Sequence, residues 1–347
     1  MKRRALLIIS VWMAAGCGST PPVVPSGGTD AATPALVSPS AVPSTAATAS
    51  STATLVVQSR LPSTPVIGLA PATDGRAWFI GRGSPGEVGL LSPSGVVKRA
   101  PAGPAPVAVA AADGGVFVVE GRPDTGPANQ ARSDVLERLD PETMKVVATV
   151  RLPELVTAIT AVPGSVWAIA TDGTVTAYDA KTLAVVFTAH LAGAGAGSIA
   201  STGDNVWAAI GRVTDAGVGQ YAVARFNAAS RERTDMVVSG DGVSPLVVAA
   251  EGRAWLAYAD GDVVDRLAVS DGGDFVPIGQ VAAPAGMVVI GETLWSAAID
   301  GTVQMIDASS GVVLAVHPAA EGGGTAITSA GLVFVGLGDD VLVFPAG

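Results

Sequence analysis

Most of the chain repeats one pattern of short apolar runs separated by glycine-containing turns. In one unit the runs 166–170 and 174–178 flank Asp172-Gly173. Asp-Gly between apolar runs is a strong hairpin signal, because glycine adopts positive φ without a Cβ clash. A further β-branched run follows, and a run of small apolar residues such as 157–162 precedes the unit. The pattern therefore predicts units of four antiparallel strands.

One aromatic residue follows the first turn of each unit, at intervals of 39 to 50 residues. The seven positions are Trp78, Phe117, Trp167, Trp207, Trp255, Trp295 and Phe334. A repeat of this length is typical of β-propellers, in which four-stranded sheets, or blades, pack radially around a channel. We interpret the aromatics as the core between neighbouring blades; a ring of tryptophans that binds sugars or cations is the alternative.

The two ends of the repeat region favour a closed ring over an open solenoid, which is the structural alternative. The unit of Phe334 has room for only three strands, whereas segment 54–62 is apolar and belongs to no unit. This segment resembles residues 146–153, the outer strand of the second unit. We therefore predict an all-β domain over 54–347, a seven-bladed β-propeller of four-stranded blades. Its N-terminal strand completes the last blade and removes an exposed edge.

Residues 1–17 have the pattern of an export signal. Three basic residues at 2–4 precede a short apolar run over 5–13, which is too short for a permanent membrane span. Residues 14–17, Ala-Ala-Gly-Cys, resemble the lipobox of bacterial lipoproteins. That resemblance implies cleavage before Cys17 and lipidation of its thiol. An ordinary secretory signal with an incidental cysteine is the alternative.

Residues 18–53 predict a disordered tether between the lipid and the propeller. They contain no Lys, Arg or Glu and a single acid, Asp30, among Ser, Thr, Pro and Ala. Such a segment buries too little apolar surface to offset its ordering entropy. The predicted protein is a monomer outside the cytoplasm, anchored through Cys17 to a bacterial membrane and facing the cell surface or the periplasm.

The charge of the chain argues against nucleic acid as a partner. Removal of the signal leaves 17 basic and 30 acidic residues, a net charge of −13. Such a surface repels a phosphate backbone. With one cysteine the chain forms no internal disulfide, so we expect core burial to stabilise the fold.

Segments of two blades resemble known propeller superfamilies. Residues 74–79 and 88–95 resemble a blade of the virginiamycin B lyase and NHL-like propellers, and residues 139–147 resemble the repeats of YVTN and PQQ-type propellers. The similarity covers most of 54–347. It implies the propeller fold, but these superfamilies share blades while differing in chemistry.

No catalytic or metal-ligating residue is assigned from the sequence. The lyase resemblance implies a histidine and acids near a magnesium ion, whereas His190 and His317 fall at the ends of predicted outer strands. The predicted inner strands carry small and apolar residues and no cluster of carboxylates. We therefore predict no cofactor and no metal, and a quinone-dependent dehydrogenase is the least favoured reading.

The turns between second and third strands are predicted to be unequal. They are tight in blades three, five and six and long in blades one, two and four, at residues 81–87, 121–134 and 211–220. Each long loop opens with Gly-Arg, which places Arg82, Arg122 and Arg212 on the face that carries the blade-to-blade connections. These arginines are candidate ligands for an anionic or carboxylate-bearing partner. Solvated loop charges are the alternative.

These observations predict a binding or scaffold module for an envelope protein or glycan. Long loops on a rigid scaffold are where binding residues concentrate. The alternative is a lyase- or lactonase-like enzyme that acts on a small exported substrate, with a metal at the channel mouth. Without a recognisable catalytic group, the enzyme is the less favoured hypothesis.

Overall fold

The computed structural model describes residues 53–54, 57, 59–62, 65–72, 74–83, 85–103, 105–122, 132–213, 219–239, 245–258, 264–318, 324–329 and 331–345. All regular structure in these residues is β-strand. Among them there is no helix of the length and apolar character needed to cross a bilayer. The predicted signal, Cys17 and almost all of the predicted tether lie outside the described residues.

The strands form seven sheets, numbered here in chain order, and all their pairs are antiparallel except that of β1 with β26. Sheets one to three comprise β3 (Val66–Pro71), β4 (Ala77–Gly81), β5 (Glu87–Ser92) and β6 (Gly95–Pro101); β7 (Ala105–Ala112), β8 (Gly115–Arg122), β9 (Arg132–Leu139) and β10 (Val146–Arg151); β11 (Val156–Val162), β12 (Ser165–Ala170), β13 (Thr174–Asp179) and β14 (Val185–His190). Sheets four and five comprise β15 (Ser198–Thr202), β16 (Asn205–Val213), β17 (Gly219–Asn227) and β18 (Arg233–Ser239); β19 (Leu246–Ala250), β20 (Arg253–Tyr258), β21 (Val264–Ser270) and β22 (Val276–Ala282). Sheets six and seven comprise β23 (Pro284–Ile290), β24 (Thr293–Ala298), β25 (Val303–Asp307) and β26 (Val313–His317) with β1 (Ala53–Thr54); β27 (Gly324–Ser329), β28 (Leu332–Leu337) and β29 (Asp340–Pro345) with β2 (Ser59–Pro62).

The first strands of the sheets lie side by side and return to their starting point. Each first strand contacts the first strand of the next sheet, and β27 of sheet seven contacts β3 of sheet one. The prediction of an all-β propeller with four-stranded sheets is confirmed. The first strands therefore surround a central channel, and the fourth strands form the outer rim.

The N-terminal segment closes the ring but does so in two pieces. Strand β2 pairs antiparallel with β29, with Arg60 opposite Leu342, and it completes sheet seven as the sequence predicted. Strand β1 instead pairs in parallel with β26, with Ala53 opposite Ala315. The expected single strand over 54–62 is thus divided between two neighbouring sheets. The outer edge of β26 has backbone N–H and C=O groups that are unpaired within its own blade, and strand β1 pairs with this edge.

The seven repeated aromatics lie on the second strands and are buried between sheets. Trp78 is 6% exposed and the other six are at most 2% exposed. Trp167 of sheet three packs with Ile210 of sheet four, and Phe334 of sheet seven packs with Phe79 of sheet one. Each aromatic thus belongs to the cluster that its own sheet shares with the next, around the whole ring. A buried aromatic removes about 150–250 Å² from water, so these positions dominate the packing between sheets.

One side-chain turn recurs between the third and fourth strands of four sheets. It begins at Asp140, Asp179, Asn227 and Asp307. In each case the side-chain Oδ1 accepts backbone N–H groups two and three residues later, as an Asx turn does. Hydrogen bonds from Ser309 and Ser310 lower the pKa of Asp307 to about 2. The turn therefore fixes the exit of the outer strand in each of these sheets.

One predicted turn lies outside the described residues. The Asp-Gly pair at 260–261 predicts a tight turn between the second and third strands of sheet five. Strand β20 ends at Tyr258 and β21 begins at Val264, and residues 259–263 between them are not described. The tight turn of sheet five therefore stays a prediction.

Candidate functional site

The propeller has two faces that differ in what they carry. We call the face with the second-to-third strand loops and the sheet-to-sheet connections the loop face. We call the opposite face, which carries the first-to-second and third-to-fourth strand turns, the turn face. The strand order assigns every connection to one of the two.

The three sequence-predicted arginines fall at the loop-face ends of second strands. Arg82 directly follows β4, and its side chain is exposed. Its backbone N–H donates to the carbonyl oxygen of Pro65 at 2.8 Å. Arg122 ends β8 and Arg212 is the penultimate residue of β16, but their side chains lie outside the described residues. The backbone thus places all three residues on one face, in sheets one, two and four.

The loop that follows Arg82 is held against the connection between sheets one and two. The backbone N–H of Gly86 donates to the carbonyl oxygen of Gly103 at 3.1 Å, and Ala102 N–H donates back to Gly86 at 2.8 Å. Arg99 Nη1 lies 3.4 Å from Glu87 Oε2 on the neighbouring strand. These contacts make this part of the loop face a fixed support for Arg82.

A buried carboxylate that sequence reasoning missed lies beneath this connection. Glu120 on β8 is 6% exposed. Burial raises the pKa of its carboxyl group. A hydrogen bond with the Gly103 backbone partly offsets this rise in pKa, and the negative charge of Glu137 adds to it. A Cβ added at Gly103 would overlap Glu120 Oε2, so a larger residue there would require the carboxylate to move. Oε2 accepts no hydrogen bond of normal geometry from the described residues. The only sequence signal is a charged residue inside the apolar run 116–121.

Over the described residues, the side chains that line the central channel are mostly apolar, and several of the polar ones bond to neighbouring strands. A cavity of about 390 Å³ is lined by the first strands of sheets one to six, chiefly by Ala, Val, Ile and Leu. Thr160 Oγ1 and Ser201 Oγ lie 2.8 Å apart, and Ser198 Oγ accepts the N–H of Val247 at 3.0 Å. These hydroxyls link adjacent sheets instead of presenting polar groups to a ligand.

Neither histidine reaches the channel. His190 is exposed at the end of β14, where its carbonyl oxygen accepts a hydrogen bond from Arg233 Nη1 at 2.9 Å. His317 ends β26, and its ring packs edge-on against Phe344 with centroids 5.7 Å apart. Both lie on fourth strands, as the sequence predicted. Among the described residues, no group of three or more His, Cys, Asp or Glu side chains could hold a metal ion.

A second cavity opens on the turn face between sheets one and two, and no sequence motif indicated it. It measures about 290 Å³. Its lining includes the apolar residues Trp78 and Leu90, the basic residues Arg76 and Lys98, and the acidic residues Asp113 and Glu142. We call it the sheet-1/2 pocket.

Comparisons with known proteins support the fold but do not indicate an activity. No protein-family model matches the chain, and no curated protein matches it. Among solved structures it is similar to BamB from Moraxella catarrhalis, at 14% identity and a TM-score of 0.55, covering 84% of this chain and 99% of that one. It is also similar to the β-propeller domain of Cps50 (Swd1) from Myceliophteria thermophila, at 11% identity and a TM-score of 0.62, covering 84% of this chain and 100% of that one. At these identities the likeness supports the propeller fold and leaves the activity to the site itself.

Proposed function

We propose that the protein is a lipid-anchored, extracytoplasmic propeller that binds an envelope protein or glycan through its loop face. Arg82, Arg122 and Arg212 contact an anionic or carboxylate-bearing part of that partner. The observation that carries the proposal is the placement of all three at the loop-face ends of second strands. Arginine suits this role because its planar fork donates two parallel hydrogen bonds to a carboxylate.

The support for a binding role comes from a contrast in how the arginines are held. Arg99 is paired with Glu87, whereas the Arg82 side chain is exposed above a hydrogen-bonded loop. A cation on a rigid support loses little conformational entropy on binding. The solved structures of BamB and Swd1 support the propeller scaffold on which these arginines are placed.

The test compares two triple variants in native envelopes. The first replaces Arg82, Arg122 and Arg212 with Ala. The matched control replaces three exposed cations of the turn face and therefore changes the net charge equally: Lys145→Ala, Lys181→Ala and Arg253→Ala. After chemical crosslinking, we expect the loop-face variant to lose specific partners that the wild type and control retain. Equal capture by all three would contradict the proposal.

The membrane anchor is a separate part of the proposal, with its own experiment. Lipidated Cys17, followed by the tether 18–53, would hold the propeller at the membrane; stable anchoring needs more than one acyl chain. We expect the wild type to incorporate a labelled fatty acid and to partition into detergent, and Cys17→Ala to do neither. Retention of the label in Cys17→Ala would refute the anchor and leave the loop-face proposal open to its own test.

We also propose that all seven sheets are blades, which gives a seven-bladed ring. The five-stranded sheet of β23–β26 and β1 is then an ordinary four-stranded blade with one added parallel pair. The closed order of the first strands supports this count. The enzyme alternative has less support, because Glu120 and Glu137 lie between two sheets and the channel lining over the described residues is apolar.

A further inference from the structure

The sheet-1/2 pocket exists because this interface lacks the planar side chains that fill its counterpart. Between sheets three and four, Trp167 packs against Phe187 and Phe226, with ring centroids 5.6 and 5.5 Å away. The guanidinium carbon of Arg231 lies 5.2 Å from the same indole ring. The two phenyl rings and the guanidinium group thus pack around Trp167 and fill the interface between sheets three and four.

The strand registers show which residues take these places beside Trp78. Lys98 pairs with Leu90 as Phe187 pairs with Ala177, so Lys98 stands where sheet three has Phe187. By the same registers Leu139 stands where sheet four has Phe226. After the Asx turns, Met144 stands where sheet four has Arg231, and both have positive φ. These replacements, together with the alanines at 111–112 and the glycines at 114–115, leave the cavity of about 290 Å³.

Charged and apolar residues line the sheet-1/2 pocket together. Lys98 Nζ lies 5.6 Å from the Trp78 ring centroid and donates a hydrogen bond to the carbonyl oxygen of Pro141. Arg76, whose side chain is 34% exposed, pairs with Asp74 at 3.4 Å and also lines the cavity. Two acidic residues line it as well: Asp113 accepts a hydrogen bond from the backbone N–H of Gly164, and Glu142 is exposed.

A pocket lined by two cationic residues, the exposed acid Glu142 and the apolar residues Trp78 and Leu90 matches a small zwitterion with an apolar side chain. We propose that the sheet-1/2 pocket binds a free α-amino acid with an aromatic side chain. Its carboxylate accepts hydrogen bonds from Lys98 and Arg76, its ammonium pairs with Glu142, and its ring packs against Trp78 and Leu90. The volume lies at the small end of ligand pockets and fits a ligand of this size.

This site is independent of the loop-face proposal, since it lies on the opposite face. The binding test uses the mature full chain and titration calorimetry with three probes. L-phenylalanine carries both charges, phenylacetate lacks the ammonium, and phenethylamine lacks the carboxylate. We expect L-phenylalanine to bind with a Kd of about 0.1–1 mM and each of the others at least about ten-fold more weakly.

Variants assign the charges to residues. Lys98→Met keeps the apolar stem over Trp78 but removes the ammonium, so it should weaken L-phenylalanine by about ten-fold and leave phenethylamine unchanged. Glu142→Gln should weaken L-phenylalanine and leave phenylacetate unchanged. Lys181→Met, an exposed lysine on the same face of sheet three, is the matched control and should bind as the wild type does.

A second change tests the cavity itself without touching a charge. Ala112→Phe places a ring inside the pocket and should abolish binding, with folding checked by circular dichroism. If Ala112→Phe does not fold, Lys98→Met and Glu142→Gln still decide the matter. No saturable binding of L-phenylalanine to the wild type, equal binding of phenylacetate, or unchanged binding by Lys98→Met would each overturn the proposal.

Discussion

Two interfaces of the ring, built on the same repeat, differ in how their tryptophans are covered. Trp167 is enclosed by two phenylalanines and an arginine, whereas Trp78 is flanked by Lys98 and by small residues. The backbone registers are the same in both. The comparison shows that the repeat fixes the positions, and that the side chains at those positions decide between a filled core and a pocket.

Truncation of the two tryptophans should give the largest contrast. Trp167→Ala removes a fully enclosed side chain and should lower the free energy of unfolding by about 3–5 kcal/mol. Trp78→Ala should cost at least about 1 kcal/mol less, because an adjoining cavity already leaves part of its ring without packing partners. Urea unfolding of both variants measures the difference. Equal losses would show that the two interfaces are packed alike.

Exchange of the residues beside the tryptophans should reverse the contrast. Phe187→Lys places a charge among aromatic rings and should cost about 2 kcal/mol through lost burial and lost ring contacts. Lys98→Phe supplies the missing ring and should stabilise the protein by up to about 1 kcal/mol, after the loss of the hydrogen bond to Pro141. Thermal melts of the two variants should therefore shift in opposite directions. A loss in both would contradict the account of why the sheet-1/2 pocket exists.

A smaller effect is expected from the residue that follows each Asx turn. Arg231→Met removes the cation above Trp167 and should cost about 0.5–1 kcal/mol. Backbone strain stays the same, because both residues are non-glycine at positive φ. Met144 at the matched position serves as the reference, and Met144→Arg should not destabilise the protein. The unfolding midpoints in urea measure the stability of both variants. If Arg231→Met is as stable as the wild type, the cation above Trp167 does not stabilise this interface.

The smallest predicted contrast is in the pH dependence of stability. The Asx turn at Asp140 begins with a side chain that titrates, whereas the turn at Asn227 does not. Hydrogen bonds from Thr143 lower the pKa of Asp140 from its usual 3.8, whereas Asn227 makes the same turn without a charge. A lowered folded pKa means that the stabilisation is present above pH 3.8 and is lost as the pH falls through the folded value. Asp140→Asn should therefore lose less stability in acid than the wild type does, and Asn227→Asp should lose more. Acid melts that are identical for all three would contradict this.

The sequence predicted the sheets and their closure because those depend on periodic local signals. Alternating apolar runs and glycine turns marked the strands, and the unpaired segment at 54–62 marked the closing strand. It did not predict that β1 would pair with sheet six, since a two-residue parallel contact leaves no pattern.

The candidate sites were only partly accessible from the sequence. Loop lengths and the Gly-Arg openings indicated Arg82, Arg122 and Arg212, since these features break the repeat visibly. The sheet-1/2 pocket was missed because it arises where planar side chains are absent. Lys98 occupies the position that Phe187 holds in sheet three, and no sequence motif marks such a replacement. Glu120 was missed because the connection between sheets one and two, which includes Gly103, lies against it only in the folded chain.

The central claim is that the repeated positions hold the ring while binding occurs on the loop face. The most direct test inserts a photo-crosslinking amino acid at Arg82 or, as the reference, at Lys181 on the turn face, and irradiates native envelopes. The account predicts a discrete crosslinked partner from position 82 and none of the same size from position 181. Identical products from both positions, or a partner captured only from position 181, would contradict it.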